Sequence, residues 1–504
     1  MQADVVVIGG GGSGLAAAVG AASAGASVIL LEKNLDVGGT TARSIGSISA
    51  TQTEHQKRMG IVDTPQEHYD DMELFLTLRR ISRPDNNELR RLLTDNVPET
   101  IRWLSAMGVE FFGPLEEKPH RKPRMHNVLP NSRAYIFHLA REARRIGVNI
   151  ITGARAQSFV LTGNEVTGVR FEHSGKQQAV FAARGIVLAS GDYAADPEMK
   201  RDYISPEVAA TEAINPTSTG DGQRMALTIG GRLINTDMYS GGMRFVRPAQ
   251  PSWISRLPPA KWLMRTANLA LRWAPEAIIR RFIMGFLTTV LVPTPKLYAS
   301  GAILINKNGE RFANETKGMP FELAHQPDGM AYILFDADLG EKFSAWPNYV
   351  STAPGFAYAF LADYRRNRPD LFHKAETLPE VAALIGVPPE KLVTTVEEYN
   401  ADRSGSAAIV ARGDRPKLVR GPYYALGPCK NYIHYTEGGL AVNGQLEVLG
   451  ANDVPFSGLY AAGSVGQGGG LLKGHGHHLG WAFTSGRLAG QYAAKRVPRT
   501  GVIT

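Results

Sequence analysis

The sequence predicts an α/β fold in which one domain with a parallel sheet is interrupted by an inserted α+β domain. The first observation is a strand, a glycine loop, a helix and a second strand between Asp4 and Lys33. The second is that further glycine-containing motifs lie at 185–231 and 458–490, far from the first one along the chain. The third is the length of 504 residues, which exceeds one ordinary hydrophobic core.

The composition is that of a globular protein, with 43% hydrophobic and 20% charged residues. A net charge of +8 suits an anionic cofactor, an anionic membrane surface or nucleic acid. The one cysteine, Cys429, excludes an internal disulfide framework and cysteine-based metal sites. We expect no signal peptide and a cytoplasmic location, because the chain starts directly on a strand. The longest apolar run, 282–292, is too short to cross a bilayer.

The N-terminal segment predicts a dinucleotide site. Val5–Ile8 is a continuous apolar run of the kind found in buried parallel strands, and Val28–Leu31 is a second one, closed by Glu32. Between them lies the G-x-G-x-x-G spacing, which allows a tight turn, a close approach to a pyrophosphate and close helix–strand packing. The loop residues expected to bind are Gly9, Gly11, Gly12, Ser13 and Gly14.

The next segment, "KNLDVGGTTARSIGSISA" (33–50), adds a second glycine–hydroxyl stretch, which suits a flavin because its ring system extends beyond the pyrophosphate. This segment resembles the superfamily of flavoprotein fumarate reductases and 3-ketosteroid dehydrogenases, with Gly46-Ser47 in place of a final glycine pair. The resemblance continues in "GIVLASGDYAADPEM" (185–199), "TGDGQRMALTIGG" (219–231), "GAILINKNGERFANE" (301–315) and "GLYAAGSVGQGGG" (458–470).

The resemblance implies a Rossmann-like FAD-binding domain of glutathione-reductase-like topology, with an inserted α+β substrate-capping domain. We expect the FAD domain at 1–232 plus 355–504 and the cap at 233–354. A pair of helices is expected at 376–400, separated by a Pro-Pro dipeptide. Besides the glycine loop, the expected FAD-binding residues are Glu32, Lys33, Gly39, Thr40, Thr41, Ser44, Gly46, Ser47, Ala156, Ala189, Ser190, Gly191, Asp221, Gly463, Ser464 and Leu479.

The FAD is expected to be noncovalent, because no histidine lies between Lys33 and Ala50, near the Gly-Gly-Thr segment where succinate dehydrogenases of the superfamily attach it. No second glycine-rich fingerprint for a nicotinamide nucleotide is present. We therefore expect an external electron acceptor: another protein, a quinone or a soluble carrier.

A basic amphipathic segment, 260–291, stands out within the cap. On a helix, Lys261, Arg265, Asn268 and Arg272 fall on one narrow stripe, while leucines and two tryptophans cover the rest. This pattern is typical of a helix in a membrane interface, and we expect peripheral contact with the inner face of a membrane. A buried helix pair or an oligomer contact is the alternative. Nucleic-acid binding is not expected, because basic and aromatic residues do not interleave elsewhere.

The segment "GGGLLKGHGHHLGW" (468–481) holds three of the 12 histidines. In the superfamily it crosses the flavin ring and contacts the substrate. The resemblance therefore favours His475, His477 and His478 as substrate or flavin contacts, with structural histidines as the alternative. No metal site is expected, since no carboxylate or further ligand lies nearby at a fixed spacing. Gly476 matches the glycine whose backbone N–H holds a substrate carbonyl in 3-ketosteroid 1-dehydrogenases.

Several positions that bind substrate in the superfamily carry different residues in this sequence. His478 replaces an arginine that clamps a carboxylate in fumarate reductases, and 314–325 lacks their catalytic arginine, so a C4-dicarboxylate is not expected. His434 and Tyr435, just before the T-x-G-G segment, are candidate proton carriers, with packed aromatic as the alternative for Tyr435. Tyr239 is a further candidate, at the position of a substrate histidine.

These observations predict an FAD-dependent oxidoreductase acting on a carbon–carbon bond next to a carbonyl. The favoured substrate is a hydrophobic cyclic ketone, steroid-like or smaller, which loses an α-proton to a base and a β-hydride to the flavin. One alternative is a reductase of an unsaturated acid. The other is an electron-transfer flavoprotein subunit of a membrane complex.

Overall fold

The computed structural model describes residues 1–163, 165–248, 257–273, 284, 285, 288, 291–317, 320–353, 357–403 and 409–499. It confirms the α/β fold class: a mostly parallel sheet forms one half and a mixed sheet the other. No helix in these ranges is long and apolar enough to cross a membrane.

The main sheet is built on the predicted first strand. Val5, Val6 and Val7 are fully buried, because this strand is central in the sheet and lies within the first hydrophobic core. The strand order is Glu447–Leu449, Pro455–Ala461, Lys176–Leu188, Gln2–Ile8, Val28–Glu32 and Asn149–Thr152, with Ala154–Thr162 and Glu165–His173 attached in antiparallel fashion beside Lys176–Leu188. The five strands from Pro455–Ala461 to Asn149–Thr152 pair in parallel.

The first and last helices of this domain, Gly12–Ser23 and His477–Lys495, lie against each other through small residues. A Cβ atom on Gly490 would stand 2.0 Å from the Ala17 carbonyl oxygen, so only glycine permits this approach. The remaining helices of this half are Glu54–Arg58, Pro65–Leu78, Asn87–Met107, Arg133–Arg145, Pro197–Tyr203, Pro206–Ala209 and Asp221–Leu227. A three-stranded sheet of Ser47–Ser49, Met125–Leu129 and Glu110–Leu115 completes it.

The second half is organised around one long strand, Tyr423–Thr436, which pairs with four others. Its partners are Glu212–Ala213, Tyr239–Phe245, Ala331–Phe335 and Phe372–Ala375, and Ile303–Ile305 adds to Ala331–Phe335. Small sheets are formed by Val292–Pro293, Ser351–Ala353 and Ala357–Ala359, and by Leu233–Ile234 with Gly439–Leu440. The helices are Lys261–Trp273, Pro295–Ala299, Ala337–Lys342, Leu361–Asn367, Leu378–Ile385 and Pro389–Asn400.

The cap boundary differs from the one drawn from the sequence. Ser351–Ala353 pairs with Ala357–Ala359, so a boundary at residue 354 would divide a hairpin. Strand Tyr423–Thr436 belongs to the second sheet, and the core around Ile303 takes in both Leu378–Ile385 and Pro389–Asn400. Strand pairing therefore places 357–436 with the cap, and we propose that the FAD domain resumes near Gly439. The helix pair expected at 376–400 is confirmed.

One side of helix Lys261–Trp273 packs on the first domain. Met264 and Asn268 are buried, and Asn268 Nδ2 donates to the Phe111 carbonyl oxygen at 2.9 Å. Trp262, Leu269 and Trp273 are 70%, 57% and 85% exposed. The sequence placed Asn268 on a solvent-facing polar stripe, whereas the structure uses it to seat the helix. Of the wider segment 260–291, most residues after Trp273 lie outside the described ranges.

Candidate active site

A first chamber of about 780 Å³ opens at the carboxyl ends of the parallel strands. Gly9, Gly11, Gly12 and Ser13 form part of its wall. A Cβ atom on Gly11 would meet only Gly39 Cα, at 3.9 Å, so this face of the loop is open to a ligand. Gly14 lies behind the loop, where a Cβ would stand 1.8 Å from the Gly9 carbonyl oxygen, and so it serves the turn itself.

The polar groups of this chamber suit a dinucleotide. Glu32 is buried and accepts from the Gly10 N–H at 2.6 Å, which fixes its carboxylate at the end of the second strand. Lys33 Nζ donates to Asp221 Oδ2 at 2.9 Å and thereby joins two segments of the wall. The buried Ser190 Oγ has no hydrogen-bond partner among the described residues. An orphan hydroxyl beside an open glycine loop is the feature a bound phosphate or ribose would complete.

A second chamber of about 1240 Å³ adjoins the first, and Thr40, Thr41, Ser464 and Ala482 line both. The shared residues make the two chambers adjacent, an arrangement that suits an elongated ligand such as a flavin dinucleotide. The described wall comes from several segments of both halves: Arg43, Ser44, Ile45, Gly46, Ser47, Arg79, Asp192, Ile214, Ser240, Arg244, His434, Tyr435, Lys473, Gly474, His475, Gly476, His478 and Leu479.

The histidine loop divides between two environments. His475 and His478 lie three residues apart at the start of helix His477–Lys495 and both face the chamber. Gly476 between them has φ of 90°, and a Cβ there would stand 2.4 Å from the Ser49 nitrogen, so the turn requires glycine. His477 points away from the chamber and packs, fully buried, against His68 and His120.

A β-bulge brings two consecutive residues of one strand into the chamber. Ser240 pairs with Tyr435 and Gly241 with Ile433, so His434 is the extra residue of the long strand. Such a bulge re-aims a side chain that regular alternation would send to the other face. Both His434 and Tyr435 consequently line the wall.

Tyr239 lies outside this wall. Alternation along its strand puts Ser240 and Arg244 on the chamber side, while Tyr239 packs with a small apolar cluster that includes Ile433. Sequence comparison by position suggested Tyr239, but the side chain that this strand delivers to the chamber is Arg244. The register of the strand, which a single sequence does not reveal, decides between them.

The chamber carries excess positive charge. Arg79 and Arg244 line it, and neither forms an ion pair with a carboxylate in the described part of the chain. Burial lowers the pKa of Arg244 to about 10, and its Nε has no hydrogen-bond partner among those residues. Lys473 is also in the wall, but the buried carboxylate of Glu437 neutralises it. Arg43 also lines the chamber without an ion pair in the described ranges, so three guanidinium groups are left to meet a ligand.

The imidazoles of the chamber are neutral at ordinary pH. Burial lowers the pKa of His475 to about 4 and that of His478 to about 3, and it lowers the pKa of His434 as well. The Nε2 atoms of His434 and His478 have no described partner. The Tyr435 ring lies 4.0 Å from that of His478, and burial raises the pKa of the Tyr435 hydroxyl to about 12. These groups offer neutral hydrogen-bond donors and acceptors rather than charges.

A buried acid, Glu117, stands directly behind the wall. Its Oε1 accepts from the His475 N–H at 2.8 Å and lies 4.0 Å from His475 Nε2, while Oε2 has no described partner. Burial raises the pKa of Glu117 to about 8. Burial also raises the pKa of Asp192, the acidic residue of the wall, to about 7. Both carboxyls can hold a proton near neutral pH.

Most of the expected cofactor residues line one chamber or the other, with Gly14 and Gly463 as the exceptions. Gly463 donates its N–H to Ser485 Oγ at 2.9 Å and positions Ser464 at the junction. Sequence reasoning did not identify Arg79, Arg244, Lys473 or Glu117. A catalytic arginine was sought near 314–325. Arg79, Arg244 and Glu117 lie outside the motifs, and Lys473 lies within the histidine loop, where only the histidines and Gly476 were considered.

The comparisons agree with this architecture. The family described as "FAD binding domain" matches residues 4–252 and 260–476. The NADH:fumarate oxidoreductase of Klebsiella pneumoniae is 28% identical over 98% of this chain, which spans 48% of that protein. The 4-oxocyclohexanecarboxylate 2-dehydrogenase of Sinomonas cyclohexanicum is 26% identical over 97% of this chain and 92% of its own length.

A solved structure resembles most of the chain. The open conformation of a flavocytochrome c3 fumarate reductase superimposes with a TM-score of 0.71 at 25% identity, covering 98% of this chain and 78% of that one. The superfamily inferred from the glycine motifs is confirmed.

Proposed function

The chain belongs to the FAD binding domain family, and from this premise we propose an FAD-dependent oxidoreductase that acts on a carbon–carbon bond beside a carboxylate. The observation that carries the proposal is the partly buried Arg244, which lines the chamber with Arg43 and Arg79 and has no carboxylate partner in the described ranges. Arg244 is partly buried, whereas Arg43 and Arg79 are exposed, and an unpaired cation at the Arg244 position is costly unless a ligand supplies the counter-charge. A substrate carboxylate does so and accepts two parallel N–H bonds from a guanidinium group.

This proposal favours the unsaturated acid over the hydrophobic ketone expected from the sequence. A neutral steroid-like ketone would further desolvate the Arg244 guanidinium group and return only weak dipolar contacts. A ring compound with both a ketone and a carboxylate would neutralise the arginine charge and would still carry the carbonyl group expected from the sequence. The Sinomonas relative is named for such a compound. We propose an acid of this general kind, with a C=C bond or a desaturable C–C bond next to the anionic group.

Bound FAD would supply the hydride chemistry at the bond. The chain's residues would orient the substrate and move one proton. Arg244 and Arg79 would hold the carboxylate, and the neutral imidazoles of His434 and His478 would hydrogen-bond the rest of the polar end. In the reductive direction the α-carbon gains a proton, and Tyr435 is the group we assign to hold it, because its hydroxyl stays protonated up to about pH 12.

Glu117, which lies behind these chamber residues, would return a proton to the chamber through His475. The carboxyl holds its proton up to about pH 8 and lies 4.0 Å from His475 Nε2. The FAD is proposed to be noncovalent, since the wall formed by residues 39–47 contains no histidine to attach it. Release of the flavin by acid precipitation checks this point.

The test is anaerobic reoxidation of the reduced enzyme by unsaturated acids and by their methyl esters. The esters keep the shape and the C=C bond but remove the charge. We expect each active acid to outpace its ester by at least about 100-fold, roughly 2.7 kcal/mol, within the range for removing one partner of a buried charge pair. Equal rates for acid and ester, or bleaching of oxidised enzyme by an uncharged cyclic ketone at a comparable rate, would overturn the proposal.

Arginine variants test whether Arg244 causes the preference for the acid over the ester. R244M should lower kcat/KM for the acid by about 100-fold and leave the ester rate and the FAD content unchanged, while R244K keeps the charge and loses less. R247M is the matched control, because Arg247 follows on the same segment but is not in the wall. If no compound of either panel changes the flavin spectrum and the protein co-purifies with a partner, the electron-transfer subunit is the better description.

The exposed face of helix Lys261–Trp273 favours a second assignment, contact with an anionic membrane surface. Trp262, Leu269 and Trp273 project outward, and Arg265 lies beside them, 65% exposed. Interfacial helices place tryptophan and leucine at the headgroup boundary with cationic side chains alongside. The double variant W262S/W273S should abolish sedimentation with anionic vesicles. W346S removes a tryptophan of 66% exposure elsewhere and should not; equal binding by all three proteins would refute the assignment.

A further inference from the structure

Three buried histidines from distant parts of the chain meet beside the active site. His68 lies on helix Pro65–Leu78, His120 precedes strand Met125–Leu129, and His477 opens helix His477–Lys495. Each is at most 2% exposed. Their ring centroids form a nearly equilateral triangle with sides of 5.2, 5.3 and 5.5 Å. Nε2 of His68 stands 3.1 Å from Nε2 of His477.

We propose that this cluster binds one divalent transition-metal ion, of the class that includes Zn²⁺ and Co²⁺. Tetrahedral zinc holds imidazole nitrogens at about 2.0–2.1 Å, which separates two such nitrogens by about 3.3 Å and two ring centroids by about 5.2 Å. The observed separations of 3.1 Å and 5.2–5.5 Å match these values. One ligand nitrogen from each ring lies within 4.8 Å of the other two.

The protonation states support the site. A metal ligand must be a neutral imidazole, and burial lowers the pKa of all three histidines. Nδ1 of His477 is in contact with the Lys473 carbonyl oxygen, which fixes its proton there and leaves the Nε2 lone pair turned to the cluster. A second nitrogen bonded to a backbone carbonyl is the usual arrangement behind a metal-bound histidine.

Two buried nitrogens of the cluster lack partners. His68 Nδ1 and His120 Nε2 make no hydrogen bond with any described residue, although such atoms are almost always paired. A metal at the centre of the triangle would take the His120 Nε2 lone pair and leave only one nitrogen unsatisfied. Leaving buried polar atoms unpaired costs about 1–3 kcal/mol each, so a ligand that removes one of them is favoured.

The nearest charges do not oppose a cation. Arg124 Nη1 lies 3.0 Å from His120 Nδ1, but this guanidinium group is paired with both Asp63 and Asp71. Arg124 donates to this Nδ1, so metal binding through Nε2 would move the imidazole proton to Nδ1. The Arg124 contact would then be exchanged for a hydrogen bond to Asp71 Oδ2, which lies 3.8 Å away. The fourth tetrahedral position would hold water or hydroxide, because no fourth histidine, cysteine or carboxylate joins the group in the described ranges.

Such an ion would act on the position of the histidine loop. His477 lies between His475 and His478, which line the second chamber, so a metal at His477 would tie that loop to helix Pro65–Leu78. His68, His120 and His477 would then be positioning residues and would not touch the substrate. The inference does not depend on the proposed reaction.

The test uses untagged, FAD-loaded protein, dialysed against a chelator and then exposed to excess Co²⁺ or Zn²⁺. After desalting, elemental analysis should find about one metal ion per chain. The Co²⁺ form should show the intense d–d bands of tetrahedral coordination rather than the weak spectrum of the hydrated ion. Wild-type protein that retains no metal, or an unchanged weak Co²⁺ spectrum, overturns the proposal whatever the enzyme activity.

Variants provide the control. H120Q should lower metal affinity by at least 10-fold, while H325Q, at an exposed histidine away from the cluster, should bind like wild type. FAD absorbance reports whether each variant has folded. If H120Q retains FAD and binds metal as tightly as wild type, the three-histidine assignment is wrong. If H120Q loses FAD, H68Q takes its place in the same comparison.

Discussion

Replacing Glu117 with glutamine should make the protein less sensitive to alkaline pH. The carboxyl is 3% exposed, and its pKa is raised from 4.5 to about 8 because burial disfavours the charged form. Between these two values the native state holds a proton that the unfolded chain has released. Wild-type stability therefore falls as pH rises from about 4.5 to about 8, by up to about 1.4 kcal/mol per pH unit.

Integrated over the shift, this loss reaches at most about 5 kcal/mol above pH 8. E117Q is nearly isosteric, keeps an oxygen to accept the His475 N–H, and does not titrate. Its stability should match that of the wild type near pH 5 and exceed it by several kcal/mol near pH 9. The histidines with lowered pKa act in the opposite direction, but they are common to both proteins and cancel in the difference.

The assay is denaturant unfolding of the FAD-loaded proteins at pH 5.5, 7 and 9, followed by flavin and tryptophan fluorescence. E116Q is the matched control, since Glu116 is the exposed neighbour. The free energy of unfolding of E117Q should exceed that of the wild type by an amount that grows with pH. The difference between E116Q and the wild type should not change with pH. A difference between E117Q and wild type that does not change from pH 5.5 to pH 9 would refute a protonated buried carboxyl at this position.

Two further outcomes are expected. G14V should lose FAD, because a side chain there meets the Gly9 carbonyl oxygen at 1.8 Å and forces the phosphate loop out of shape; normal flavin content by absorbance would contradict this. Y435F should lower turnover by about 10²–10⁴-fold, the range for loss of a general acid, with FAD content and KM little changed; wild-type turnover would move the proton to another group.

The sequence predicted those parts of the molecule whose chemistry is local. Three such features lie within 30 residues: the phosphate loop, its flanking strands and the acid that ends the second strand. Each follows from local backbone requirements and does not depend on contacts with distant residues. The helix pair near 376–400 was found for the same reason: a threonine cap, two prolines and apolar periodicity lie next to one another. Motifs of this kind fixed the superfamily and most of the cofactor wall.

The parts that sequence reasoning missed depend on register and on long-range packing. Arg244 and Tyr239 share one short strand, and only its alternation against Tyr423–Thr436 decides which of them enters the chamber. The β-bulge at His434 likewise arises from the pairing of these two strands, and the local sequence around His434 does not predict it. The proposed later end of the cap depends on the same kind of information, because residues 423–436 look like an ordinary strand until the sheet that contains them is known.

The histidine loop shows how one short segment is divided between two tasks by helical geometry. Positions 475 and 478 fall on one side of the turn and position 477 on the other, so the loop faces the chamber and the histidine triangle at once. Gly476, held at a positive φ against the Ser49 backbone, fixes the rotation that makes this division possible. A substitution at His68 or His120 should therefore alter the placement of His475 and His478 without replacing any side chain that meets the substrate. Activity lost in this way should appear mainly in kcat, since the arginines that bind the carboxylate stand on other segments.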